Sequence, residues 1–462
     1  MFDPEVYFKR RQSLKEKLDN GLLLFPGNDE SPMNYPANTF HYRQDSNFLY
    51  FFGLDSPGLM ALIDLDTDED IIYGDDFTIG DIIWMGEQPK LRDRAMNAGI
   101  KEVRGSAKLT EDISKALNEG RDIHLLPPYR GETKIFLADL LNTETGSLNG
   151  FVSEEFIKAV VSLREVKDEL EVEQIEFAVD IAYKMHTTAM KMAHPGIWER
   201  EVAGMVEGTS LANGKPVSFP VILSMDGQTL HNHKHDKLLK EGRLMVTDAG
   251  SESPLHYASD ITRTVPVGGK FSLRQKEIYE IVLKANQDTI EATRPGITNK
   301  ELHLMAAEII CQGLKDLGLM RGDVKEAVTS GAHALFFPHG LGHMMGLDVH
   351  DMEGLGENYV GYDEKITRSD QFGLAYLRLA KELRPGFVFT IEPGIYFIPA
   401  LIDLWKREKK HEGFINYDKL DSYREFGGIR IEDDILVTQD SKRILGKPIP
   451  KTIQEIEELM GK

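Results

Sequence analysis

Two pairs of short stretches repeat one another at matched spacing in this chain, and that repetition restricts its fold more than any other feature. Gly242 stands six residues before Asp248-Ala249-Gly250, as Gly386 stands six before Glu392-Pro393-Gly394. Upstream, Pro195-Gly196-Ile197 with Glu201 matches Pro295-Gly296-Ile297 with Glu301. Each Pro-Gly-Ile follows a long helical pattern and opens a further helix. Asp168 to Lys191 places Ile175, Ala178, Ala182 and Met185 on one face, and Trp198 to Asn213 is the next helix. In the second copy, Ser272 with Gln275 and Thr298 with Glu301 form capping-box patterns at two helix starts. Strands are expected at 218–224, 243–249, 257–267, 387–392 and 428–437. Together these predict an α+β domain with helices packed on a curved antiparallel sheet, made of a half-domain duplicated and folded back on itself.

The repeated strands carry charge where packing favours none. Asp248 ends the run Leu244-Met245-Val246-Thr247, and Asp260 lies in the β-prone run from Tyr257 to Val267. Gly250, Ser251, Ser253 and Pro254 between them are turn formers, so a reversal brings the two carboxylates together. Adjacent carboxylates repel unless a proton or cation sits between them. Glu392 follows Phe387-Val388-Phe389-Thr390-Ile391, and Glu432 sits inside Gly428-Ile429-Arg430-Ile431-Glu432-Asp433-Asp434. A charge inside an apolar strand is costly to bury without a partner. Strand alternation puts Arg430 on the face of Glu432, Thr262 on that of Asp260 and Thr390 on that of Glu392, where they can orient the carboxylates. His339, His343 and His350 crowd one short segment, with Gly340 and Gly342 permitting close backbone approach. The tract His231, His233, His235 is interleaved with Lys234, Asp236 and Lys237, which makes it a solvated loop and not a metal tract.

Asp248, Asp260, His343, Glu392 and Glu432, in this order and these contexts, resemble the five metal ligands of the pita-bread metallopeptidases. His339-Gly340-Leu341-Gly342-His343 with Asp348-Val349-His350, Glu392-Pro393-Gly394-Ile395-Tyr396-Phe397 and the Glu432 motif resemble the proline-specific branch, aminopeptidase P and prolidase. Tyr42 to Gly53 resembles that branch's first domain. One departure is an Asp248–Asp260 loop that is one residue longer than the family pattern. The resemblance implies a creatinase-like α/β domain over 1–160 and a pita-bread catalytic domain over 161–462. It implies that Glu392 also shuttles a proton to the leaving nitrogen, that His231 lines the substrate pocket, and that His339 and His350 line it and stabilise the intermediate. Arg430 belongs beside the metal-bound carboxylates. Arg378 is similar to the prolidase arginine that grips a substrate carboxylate; a helix-surface arginine is the alternative. Four carboxylates and one imidazole balance two divalent cations, and oxygen-rich ligation favours Mn(II), with Zn, Co or Fe as alternatives. The expected activity is that of an Xaa-Pro aminopeptidase that also cleaves dipeptides. Prolidase, restricted to dipeptides, is the alternative, favoured by Arg378 and the long 353–385 and 399–426 excursions. A non-catalytic pita-bread binding module or a metal-free creatinase-like enzyme would have lost ligands that are present here, and a methionine aminopeptidase lacks the first domain. The family is usually dimeric, so a homodimer is expected.

Composition is consistent with this picture. A chain of 462 residues is too long for one hydrophobic core. A formal charge of −21 disfavours nucleic acid and anionic membranes as partners. The single Cys311 excludes an intrachain disulfide, and the acidic start Met1-Phe2-Asp3-Pro4-Glu5 is unlike a secretory signal, so a soluble cytoplasmic protein is expected. In the first domain, residues 4–19 are expected as a helix with a basic face (Lys9, Arg10, Arg11). Leu22–Phe25, Phe48–Phe52, Leu59–Ile63, Ile71–Tyr73 and Ile123–Leu126 are expected as strands. This part serves as scaffold and substrate gate, with Arg43 and Asp45 expected in local ion pairs.

Overall fold

In the computed structural model, which describes residues 1–461, the apolar strand Leu22–Pro26 lies between two neighbours. It is antiparallel to Met60–Asp64 and parallel to Ile123–Leu125. Glu69–Tyr73 and then Glu102–Arg104 extend the sheet to five strands. Leu24, Leu62, Ile71, Ile113 and Leu137 bury one of its faces under helices Ser106–Asn118 and Gly131–Leu140. This unit comprises Met1–Arg164 with Gly354–Tyr359. Two details differ from the expectation. Phe48–Phe52 is helical within Ser46–Phe52, because Asp45 accepts from the Phe48 amide and Gly53, at φ 64°, closes the other end in the left-handed conformation. The two caps, each able to contribute about 1 kcal/mol, override the β preference of the aromatic run. The basic face of Pro4–Lys15 is divided, with Lys9 exposed and both arginines buried. Arg11 is buried and donates to Asp70 Oδ2 at 2.7 Å and to the Phe51 carbonyl at 2.8 Å, while Arg10 lies over the Tyr50 ring. Arg43 donates to the neighbouring Ser46 Oγ at 3.0 Å.

The second unit, Glu165–Glu353 with the chain from Val360 onward, displays the repetition in its backbone. Helices Glu169–Met192 and Glu199–Asn213 correspond to Leu273–Ala292 and Asn299–Asp316. Gly196 donates to the Leu239 carbonyl at 2.9 Å and Gly296 to that of Leu383 at 3.0 Å. Leu239 and Leu383 then return bonds to Ile197 and Ile297. Gly242 and Gly386 turn the chain at φ 78° and 88° into the two strands that carry acid, Leu244–Asp248 and Val388–Ile391. The echoed glutamates do matched work: Glu201 accepts from the Trp198 amide and Glu301 from the Thr298 amide, each at 2.8 Å.

The sheets are antiparallel and smaller than the single curved sheet expected. Thr262–Pro266, Leu244–Asp248 and Ile222–Ser224 form one, and Val388–Ile391, Asp433–Val437 and Lys442–Ile444 another. The run 428–437 is broken at Ile431–Glu432. Gly428–Arg430 pairs with Gly394–Tyr396, and Asp433–Val437 with Val388–Ile391. At the break the Glu432 amide donates to the Thr262 carbonyl at 3.1 Å, which stitches the second half to the strand leaving Asp260.

Candidate active site

The break and the two repeated strands bring the acidic groups to one place. Ligand atoms of Asp260, His343 and Glu432 all lie within 4.8 Å of one another, and the three residues are buried. His343 Nε2 is 3.3 Å from Asp260 Oδ2 and 3.7 Å from Glu392 Oε1. Asp248, at the end of its strand and opposite Thr262 in the ladder, lines the same cavity. The tautomer of His343 follows from its other nitrogen. Nδ1 is 3.1 Å from the Met344 carbonyl, so it carries the proton and donates. Nε2 therefore presents a lone pair to the oxygens of Asp260 and Glu392, an arrangement of acceptors that repel until a cation lies among them.

Electrostatics point the same way. Burial, followed by the charges of Glu432 and Asp248, pushes the Asp260 carboxyl well above the usual range. Burial with Glu392 and Asp248 raises Glu432 likewise, and burial pushes Glu392 up to about 8 against the pull of Arg430. Burial holds the His343 imidazolium well below its ordinary value. Oδ1 of Asp248 and Oδ1 of Asp260 are buried without a hydrogen-bond partner. Acids that resist ionisation, a neutral imidazole and orphaned oxygens in one cluster fit divalent cations, whose positive charge relieves all three conditions.

Oriented neighbours hold the cluster. Thr262 Oγ1 donates to Glu432 Oε2 at 2.6 Å and accepts from Arg430 Nε at 3.0 Å. In the other half Thr390 Oγ1 accepts from the His343 amide at 3.2 Å and donates to Glu392 Oε1 at 3.4 Å. Arg430 places Nη2 2.6 Å from Asp248 Oδ2 and Nη1 2.8 Å from the Tyr396 hydroxyl. That hydroxyl donates to His339 Nε2 at 2.9 Å, and His339 Nδ1 donates to the Gly340 carbonyl at 2.8 Å. The motif glycines are explained by contact: a Cβ on Gly342 would lie 1.8 Å from the Thr390 carbonyl oxygen. No larger residue fits between the His343 segment and the Glu392 strand.

A cavity of about 220 Å³ opens over the cluster, lined in addition by His231, His233, His339, His350, Arg378 and Tyr376. All the site residues singled out from the sequence thus border one space. The His350 ring packs against that of His343, tilted by 56°, with centroids 4.1 Å apart. His233, set aside as a loop residue, also reaches the wall, its ring 6.5 Å from that of His231. His235 instead bonds the Val221 carbonyl at 3.0 Å. Two contributors escaped sequence reasoning. Tyr396, which joins Arg430 to His339, lies four residues beyond Glu392, where no local pattern marks its hydroxyl. Glu353, which contacts His350 and Arg378, carries no sequence signal.

Comparison with known proteins places this geometry. Residues 173–439 match the model of metallopeptidase family M24, and residues 7–125 match the aminopeptidase P N-terminal domain. The chain belongs to metallopeptidase family M24. This M24 chain is 30% identical over 482 residues to human Xaa-Pro dipeptidase, covering 99% of itself and 93% of that protein. It is 32% identical over 431 residues to a probable Xaa-Pro aminopeptidase of Aspergillus fumigatus, covering 90% and 88%. Among solved structures, aminopeptidase P from Escherichia coli with the inhibitor Pro-Leu superimposes with a TM-score of 0.81 at 27% identity, covering 100% of this chain and 98% of that one. A zinc-substituted form of the same enzyme in complex with product aligns equally well. The pita-bread fold and metallopeptidase membership are therefore established for the M24 chain. Among the described residues, no helix is long and apolar enough to cross a membrane.

Proposed function

We propose that this protein is an Xaa-Pro aminopeptidase, hydrolysing the bond between an N-terminal residue and a following proline and also accepting Xaa-Pro dipeptides. The observation that carries this reading is the convergence of the buried Asp260–His343–Glu432 cluster, with Glu392 and Asp248, on a cavity bordered by histidines and two arginines. Asp248, Asp260, His343, Glu392 and Glu432 would hold two divalent cations, Mn(II) foremost and Zn, Co or Fe as alternatives, which when bound supply Lewis-acid polarisation and an acidified water. The chain's own groups do the remaining work. Thr262, Thr390 and Arg430 fix the carboxylates. His339, anchored through Tyr396 and the Gly340 carbonyl, and His350 flank the space for the scissile carbonyl, and His231 lines the pocket. Glu392 delivers a proton to the leaving prolyl nitrogen, which in a tertiary amide has no N–H of its own. Arg378 meets the part of the substrate beyond proline. Catalysis belongs to the domain over 161–462, with 1–160 as the creatinase-like domain. The enzyme works as a cytoplasmic homodimer, and light scattering of a fully active monomer would refute the assembly.

Prolidase activity is the second reading, supported by the cationic Arg378 on the cavity wall and by the match to human Xaa-Pro dipeptidase. Turnover of Xaa-Pro, Xaa-Pro-Xaa and Xaa-Pro-Pro, followed by mass spectrometry, separates the two. Cleavage of the longer peptides is expected; cleavage of the dipeptide alone makes the protein a prolidase.

A further inference from the structure

Glu353 opens the short turn Glu353–Leu355, three residues beyond His350. Its Oε2 accepts from His350 Nδ1 at 2.5 Å and from Arg378 Nε at 3.2 Å. Both partners border the cavity, whereas Glu353 contacts them without lining it. The His350 hydrogen bond, followed by the charges of His350 and Arg378, holds the Glu353 carboxyl down to about 2 despite partial burial, so it is anionic throughout the neutral range.

This arrangement has a consequence for substrates. The cavity is bordered by two arginines. Arg430 is engaged inside the carboxylate cluster by Asp248, Thr262 and Tyr396. Arg378 lies outside that cluster, and a guanidinium on a cavity wall favours a carboxylate over a neutral carbonyl because the bond is charge-assisted. Glu353 offsets that preference. An incoming carboxylate meets an arginine already matched by an anion and is repelled by the same anion, while a peptide carbonyl suffers no such repulsion. Both members of the pair are about a third exposed, at 36% and 39%, so solvent screens the effect to a moderate size.

We propose that Glu353 is a specificity-determining residue that sets substrate length: by neutralising Arg378 it cancels the advantage of a free proline carboxylate and lets peptides that continue past proline compete with Xaa-Pro dipeptides. The proposal rests on the Xaa-Pro peptidase reading above.

The test compares an Xaa-Pro dipeptide with its C-terminal amide, which differs only in the carboxylate, on the metal-loaded enzyme. Glu353→Gln keeps an acceptor for His350 and removes the charge. The ratio of kcat/KM for dipeptide over amide is expected to rise roughly two- to fivefold, mostly through KM, the scale of a partly screened ion pair. Glu353→Asp, which restores the charge, is expected to return the ratio towards wild type. In Glu353→Gln combined with Arg378→Met the shift should vanish. An unchanged ratio in folded Glu353→Gln, or a shift that persists without Arg378, overturns the proposal. Glu353→Ala repeats the measurement if the glutamine variant does not fold. If neither substrate is turned over by any form, the peptidase reading fails, and calorimetric affinities of dipeptide and amide still report the same ratio.

Discussion

Arg430 and Asp248 form a buried ion pair, Nη2 to Oδ2 at 2.6 Å, within a cluster that otherwise contains only acids and one imidazole. The same guanidinium also donates from Nε to Thr262 and from Nη1 to Tyr396, so all three nitrogens have assigned directions. An ammonium retains the charge and loses the fork. Arg430→Lys is therefore expected to lower kcat about 10- to 100-fold, the usual cost of disturbing a group that orients metal ligands. Steady-state kinetics at saturating metal, with circular dichroism as the fold control, measures it. Wild-type kcat in the lysine variant would show that charge alone suffices.

Chelation is expected to abolish hydrolysis, with Mn(II) restoring it best among Mn, Zn, Co and Fe. Metal binding to the native site alone should also raise the melting temperature with metal concentration. Metal content by mass spectrometry alongside activity decides the matter: full turnover by verified metal-free protein would falsify the two-cation centre.

Asp260→Asn separates the cost of the site from its use. The folded state raises the Asp260 pKa, so it disfavours the anion relative to the unfolded chain. In metal-free wild type the resulting penalty is absent at low pH, sets in above the unfolded value of about 4, and grows as pH rises. The asparagine variant should thus melt higher than wild type at neutral pH when both lack metal, and the difference should close below pH ~4. Its activity should fall by several orders of magnitude. Paired thermal melts across pH and a peptidase assay check both halves; a lower neutral melting temperature for the variant contradicts the crowding argument.

His303 and His333 give a pH dependence of opposite sense. Burial drives His333 down to about 4 and His303 well below its ordinary value, and neither ring nitrogen of His303 has a hydrogen-bond partner. The fold keeps both rings neutral, with His303 stacked on Phe337. As pH falls through the unfolded value of about 6.5, the unfolded chain takes up protons that the folded chain refuses. The stability supplied by the neutral rings is complete above that value and is lost progressively down to about pH 4 for His333. Denaturant titrations of wild type and His333→Leu between pH 4 and 7.5 should show a shallower acid slope in the variant. Equal slopes would mean that the ring titrates alike in both states.

The acidic cluster was legible because its signals are local and physically costly. Asp248, Glu392 and Glu432 sit in or beside apolar strands, and Gly342 stands where the Thr390 carbonyl leaves no space for a Cβ. The repeated Pro-Gly-Ile segments were legible because their glycines need the left-handed region, at φ 89° for Gly196 and 87° for Gly296. Other features depended on context. Ser46–Phe52 looks like a strand by aromatic content and is a helix by its two caps. The break at Ile431–Glu432 serves pairing partners far away in sequence, so no local pattern marks it. Glu353 meets Arg378 only through chain folding, and a solvated-loop composition masked the place of His233 on the cavity wall.

The duplicated halves also impose an order of events during synthesis. Asp248 and Asp260 emerge first, while His343, Glu392 and finally Glu432 come from the second copy. A growing chain therefore carries two aspartates without the residues that complete their surroundings until almost the whole length has been made. The last of them, Glu432, is tied to the first copy by its amide on the Thr262 carbonyl. The full set proposed to hold metal is thus complete only when nearly the whole chain has been made, and a chain truncated before Glu432 lacks one of the three buried residues whose ligand atoms converge.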